Sequence, residues 1–142
     1  MSRPIQESDF VEFDYTQSPS LNPFTWFKGS GLLLASGDVR SHNAMTIGWG
    51  AMGNVWSHNV NTITVYVAPT RYTYEFMERY QYFTVMVFDE DRKDVLEYMG
   101  THSGRDGFDP RGFDEIPRKR YENFPAGIHH QYIGKILSAK RR

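Results

Sequence analysis

The stretch His42-Asn43-Ala44-Met45-Thr46-Ile47-Gly48-Trp49-Gly50 combines a polar entry, a hydroxyl, a large ring and two glycines. Glycine weakens a strand interior unless something must come close to the backbone there. Bare backbone N–H groups, the Thr46 hydroxyl and the face of Trp49 together suit a flat, polar ligand. A twisted strand with a glycine kink uses the same residues, and on this stretch alone that plainer reading is favoured.

Arg71, in Thr70-Arg71-Tyr72-Thr73, stands at the start of a helical pattern. A helix N-terminus attracts anions through its unpaired N–H groups and its dipole. An arginine in that first turn opposes the dipole and gains nothing locally, a conflict that an anion between the two would resolve. A solvated surface arginine is the competing explanation. "GTHSGRD" (100–106) brings hydroxyls from Thr101 and Ser103 together with the guanidinium fork of Arg105, a donor set suited to phosphate.

Other constellations are weaker. His102, Ser103 and Asp106 contain the residue types of a hydrolase triad, but neighbours in one loop rarely converge as a triad requires. His42, His58, His102, His129 and His130 show no metal-ligand spacing. The basic runs 118–120 and 140–142 are short, and Asp114, Glu115 and Glu122 dilute the first. Three donor-rich elements thus share one target chemistry, a planar ligand bearing a phosphate. No Walker-type loop and no GxGxxG after a strand is present, so the usual nucleotide folds are unsupported.

The composition sets the bounds. A chain of 142 residues fits one domain, here 1–142, with room for a substantial core. A net charge of −1 offers no global attraction to nucleic acid or to an anionic membrane. With no cysteine, disulfides, thiolate nucleophiles and cysteine zinc sites are excluded. The N-terminus is polar and acidic, without a secretory signal pattern, and no apolar run approaches a membrane span, so a cytoplasmic location is expected. The aromatic share of 15% suits a flat ligand, but a β-rich core explains it more simply.

The elements that must position these residues are mostly strands. Residues 1–22 read as a polar arm closed by Ser18, Pro19, Asn22 and Pro23. Leu32–Ser36 and Ala44–Trp49 read as strands joined by a turn at Gly37-Asp38. After the glycine-rich residues 49–59, Ile63, Val65 and Val67 alternate with Thr62, Thr64 and Tyr66 up to Pro69. Tyr72, Phe76 and Tyr80 predict a short helix with Thr70 as its N-cap. A strand follows over 82–88, with Phe83, Val85 and Val87 on one face. A helix then buries Val95, Leu96 and Met99 and stops at Gly100 as its C′ residue. Residues 131–139 read as a final strand. The fold class is mainly β with short helices.

The motifs "NPF" (22–24), "LLLASGD" (32–38), "HNAMTIGWGAMGNVW" (42–56), "YVAPTRYTYEFMERYQYFTVMVFDED" (66–91), "YMGTHSGRD" (98–106) and "QYIGKI" (131–136) resemble, in order, the flavin reductase-like proteins of the FMN-binding split-barrel group, near flavoredoxin. The resemblance implies a six-stranded antiparallel split barrel, a homodimer, and FMN at or near the subunit interface. It implies FMN contacts from Asn43, Ala44, Met45, Thr46, Gly48 and Trp49. It implies phosphate contacts from Arg71, Tyr72 and Thr73 and from Ser103, Gly104 and Arg105. The implied function is an FMN-dependent oxidoreductase in which NAD(P)H reduces flavin or a similar small-molecule acceptor. The alternative is a flavin-binding electron carrier without a substrate of its own. No side chain need be a nucleophile or general base, because the flavin carries the chemistry.

The chain departs from the family pattern in three places. Ala68 stands before Pro69 where the family often has arginine, and Met99 stands where it often has cysteine. After Asp106, Gly107-Phe108 nearly joins two regions that family members separate by a long segment with at least one further strand. Either that segment is deleted or it is absent from the sequence as printed. A barrel lacking a strand would leave edges that a partner subunit would need to cover.

Overall fold

The computed structural model describes residues 6–18, 22–27, 31–55, 60–88, 92–102 and 129–142. Ser103, Gly104, Arg105, Asp106, the Gly107-Phe108 junction, His58 and the basic run 118–120 lie outside the described residues. In chain order the elements are β1 (Val11–Glu12), α1 (Pro23–Trp26), β2 (Leu32–Gly37), β3 (His42–Ile47), β4 (Gly50–Val55), β5 (Val60–Val67), α2 (Tyr72–Arg79), β6 (Phe83–Met86), α3 (Lys93–Thr101), β7 (His130–Lys135) and β8 (Lys140–Arg141). The fold is mainly β with short helices, as expected.

Every described strand pair is antiparallel. The strands form two three-stranded sheets, β3-β2-β6 and β4-β5-β7, and a small β1-β8 ribbon. Both larger sheets are open among the described residues, where the resemblance implies a six-stranded antiparallel split barrel. The sheets meet through packing instead. The Phe83 ring of β6 lies against Gly134 of β7, where an added Cβ would stand 2.5 Å from the ring.

The core joins the sheets. Leu32 and Leu34 of β2, Ile47 of β3, Val65 and Val67 of β5 and Met77 of α2 form its buried centre. Met45, Tyr74, Phe83, Val85 and Tyr132 pack against it. Leu33 points to the opposite face of β2, yet it too is buried. A central strand covered on both faces reads as an unbroken apolar run, which is why "LLL" stands here rather than an alternation.

Several boundaries differ from expectation. The second strand is His42–Ile47 rather than 44–49, because Gly48 and Trp49 form the link into β4. The glycine-rich stretch, predicted as no regular element, is strand β4 over Gly50–Val55; pairing to β5 overrides its poor propensity. In β5, Thr62 is buried and Ile63 only partly so; Thr62 spends its hydroxyl on the Gly53 carbonyl at 3.3 Å. Val87 is outside β6 and 49% exposed.

Helix ends differ too. Arg71, not Thr70, is the N-cap of α2, because the turn at Pro69 closes through Arg71 N–H to Ala68 C=O at 2.9 Å. Gly100 lies inside α3 rather than past its end. It has no positive φ, the helix continues through Thr101, and the His102 N–H closes onto the Tyr98 carbonyl at 3.0 Å. The arm is partly structured: Val11 and Glu12 pair with Arg141 and Lys140, and Tyr15 O–H accepts from Asn61 Nδ2 at 2.9 Å.

Candidate functional site

β3 carries Asn43, Ala44, Met45 and Thr46, and among the described residues it pairs with β2 alone. Its outer edge therefore presents main-chain groups that no described strand takes up. Register decides which face each side chain uses. Leu34 is opposite Met45 and Leu33 opposite Thr46, and cross-strand partners share a face. Asn43 and Met45 therefore face the core side, and Ala44 and Thr46 the other.

A helix terminus meets each face. On the core side, Asn43 Nδ2 donates to Thr73 Oγ1 at 2.7 Å, fastening β3 to the first turn of α2. Thr73 is 1% exposed, so its side chain serves this junction and is not at the surface. On the other face, Thr46 Oγ1 donates to the Leu96 carbonyl of α3 at 2.5 Å. Gly100 follows one turn later, close enough that a Cβ on it would lie 3.6 Å from Thr46. The last turn of α3, where the donor-rich segment begins, thus passes beside β3 at a distance that would also accommodate a methyl group.

The structure therefore brings Asn43 and Thr73 into direct contact and sets Thr46 against α3. It does not place the Asn43 and Thr46 side chains on one surface. A flat ligand along this strand would meet the edge, with one helix end on either side. The Arg71 side chain makes no cap hydrogen bond to its own helix. In the first turn of α2 the Tyr74 N–H closes onto the Arg71 carbonyl at 3.0 Å. Tyr72 packs edge-on against Phe76, with ring centroids 5.2 Å apart.

Gly48 and Trp49 lead from β3 to β4. Trp49 is 46% exposed and its ring lies 4.6 Å from that of His129, tilted by 40°. Gly50, the next residue, has no room for a side chain: a Cβ would meet the Phe27 ring and would stand 2.5 Å from the Thr64 carbonyl oxygen. Phe27, Pro23 and Phe24 face Gly50, Ala51 and Met52 across an apolar cleft of about 390 Å³. Sequence reasoning missed this cleft. The signal present was an Asn22-Pro23 helix start followed by two phenylalanines three residues apart.

Among the described residues, two titratable groups are displaced from their ordinary range. Asp38, in the β2–β3 turn, accepts N–H groups from Ser41 at 2.9 Å and Arg40 at 2.8 Å, which hold its carboxyl below the usual range. Burial, and then the Glu78 carboxylate, push the Tyr132 phenol well above the ordinary tyrosine range. Tyr132 donates to Glu78, and His130 Nδ1 lies 3.8 Å from the same carboxylate oxygen, so β7 is tied to α2. Among the described residues, no group of three or more His, Asp or Glu gathers as a metal site would require. No helix among them is long and apolar enough to cross a membrane.

No family model and no curated protein matches the chain. Solved structures do. A crystal structure of FMN-binding protein from Thermus thermophilus with bound p-hydroxybenzaldehyde matches with a TM-score of 0.57 and 15% identity, over 92% of this chain and 81% of that one. A second, with bound 1-cyclohex-2-enone, matches with the same TM-score and identity, over 92% of this chain and 80% of that one. The likeness at this identity is one of fold.

Proposed function

We propose that the chain is an FMN-binding oxidoreductase in which NAD(P)H reduces flavin or another small acceptor. The observation that carries the proposal is the open edge of β3, flanked by the start of α2 and the end of α3, in a fold like that of an FMN-binding protein. The donor set fits the cofactor. Main-chain groups along β3 suit a polar ring edge, and Arg71 with the first turn of α2 suits a phosphate.

Within this reading, Asn43 and Thr73 act on each other and hold the strand edge against the helix start. Thr46 has spent its proton on Leu96 and keeps only acceptor capacity toward a ligand. Gly48 and Trp49 stand at the end of the edge, where the half-exposed indole offers a face for stacking. FMN, when bound, supplies the hydride and electron chemistry, and the protein binds and orients it. A homodimer that covers the open sheet edges belongs to the same proposal.

The visible absorption spectrum, recorded before and after incubation with FMN and desalting, tests the reading. A retained two-banded flavin spectrum is expected, and a protein that stays colourless refutes it. Anaerobic NADH or NADPH should then bleach the bound flavin. Bleaching by dithionite alone would favour the electron-carrier alternative.

A further inference from the structure

The side chains of Asn43 and Thr46 have their protons committed inside the protein. Asn43 Nδ2 donates to Thr73 Oγ1 at 2.7 Å and to the Ala44 carbonyl at 3.4 Å. Thr46 has one hydroxyl proton, and the Leu96 carbonyl takes it at 2.5 Å. A phosphate accepts hydrogen bonds and, being an anion, repels other acceptor oxygens. Neither side chain therefore has anything but an acceptor oxygen to offer it. Thr101 is in the same position, since its hydroxyl donates to the Glu97 carbonyl at 2.9 Å.

What the two β3 side chains hold is a helix end apiece. Three residues apart, they leave the strand on opposite faces. Asn43 fastens the first turn of α2, whose N-cap is Arg71. Thr46 fastens α3 at the buried Leu96, and Ser103, Gly104 and Arg105 follow α3 directly in the chain. The residues assigned to the phosphate thus extend from two helix ends, whereas the flavin ring is assigned to the main chain of β3. Pairing with β2 from His42 to Ile47 holds that main chain independently of either helix. Loosening a helix end would therefore displace phosphate donors and leave the ring's partners in place, and hydrogen bonds weaken steeply once their geometry is lost.

We propose that Asn43 and Thr46 are positioning residues that set the protein's preference for phosphorylated over unphosphorylated flavin, acting through α2 and α3 rather than by touching the phosphate. This role rests on the FMN reading above and gives the selectivity of that site to two buried junctions.

Quenching of flavin fluorescence measures the affinity of the full chain for FMN and for riboflavin, which shares the ring and ribityl chain and lacks the phosphate. The parent should favour FMN about tenfold or more, the worth of a charge-assisted contact. Thr46→Val and Thr73→Val each remove one junction and keep the branched shape of the side chain. Each should cut the preference about threefold or more, with the loss falling on FMN rather than on riboflavin. Thr46→Ser and Thr73→Ser keep the hydroxyl and should restore the preference, which a loss of packing alone would not do. Thr73 is 1% exposed and cannot reach a ligand, so its effect must travel through α2. Asn43→Ala breaks the same junction from the less buried partner and replaces Thr73→Val if that variant does not fold. An unchanged preference in either valine variant, or an equal loss for both flavins, overturns the proposal and leaves the FMN reading standing. A parent that binds the two flavins alike overturns it as well, and a parent that takes up neither flavin overturns the FMN reading with it.

Discussion

The junction between Asn43 and Thr73 makes the sharpest prediction. Thr73→Val keeps the shape and β-branching of the buried side chain and removes only the acceptor of the 2.7 Å hydrogen bond. Valine and threonine have similar helix propensity, so the exchange isolates the bond. A net hydrogen bond is worth about 0.5–1.5 kcal/mol, and a donor left unpaired in a part-buried site adds to that. Asn43 keeps one long contact, 3.4 Å to the Ala44 carbonyl, which limits the addition. The expected loss is therefore about 1–2 kcal/mol, or a melting point lower by roughly 2–8 °C for a chain of this size. Urea unfolding followed by tryptophan fluorescence measures it. Thr73→Ser, which keeps the hydroxyl, should recover most of the loss. Asn43→Ala combined with Thr73→Val should cost less than the two single changes summed, since both break one bond. If Thr73→Val unfolds like the parent and Thr73→Ser is no different, the junction is not what fastens β3 to α2.

The two β4 glycines should behave oppositely. Gly50→Ala, blocked by the Thr64 carbonyl and the Phe27 ring, should cost about 1–3 kcal/mol in denaturant unfolding. Gly53→Ala, with open space at its Cβ, should be neutral or stabilise by about 0.4–1 kcal/mol. Asp38 has a folded pKa below its ordinary 3.8, so its contribution is present at neutral pH and lost as the pH falls below that value. The stability gap between the parent and Asp38→Asn should therefore close in acid, and a gap constant from pH 7 to pH 2 would contradict the turn geometry. Tyr132 has a raised pKa, so the stability it represents is full below about pH 10 and lost as the pH climbs above it. Absorbance at about 295 nm should show a late tyrosinate step in the parent, and Tyr132→Phe should remove it.

Local pattern was enough for the elements whose period agrees with their burial. The 65–67 end of the alternation before Pro69, the 72–80 helix and the run at 32–36 were all legible, because propensity and tertiary packing point the same way there. The donor-rich positions at 43–49 and 71–73 were legible as residue types. Their arrangement was not. That Asn43 faces α2 while Thr46 faces α3 follows from the register of β3 on β2, and a shift of one residue would exchange the two.

The sequence by itself determined that this is a cysteine-free, β-rich chain, because composition and period are local properties of the residues. Only the tertiary structure decided that a glycine-rich segment is a strand, since pairing to β5 supplies what propensity withholds. Tertiary structure likewise made Gly100 a helix residue beside Thr46 rather than a stop, and joined Asn22-Pro23-Phe24 to β4 across a cleft. The last two depend on contacts between residues more than twenty positions apart, and the first on pairing to a neighbouring strand, so none is contained in the propensity of the segment itself.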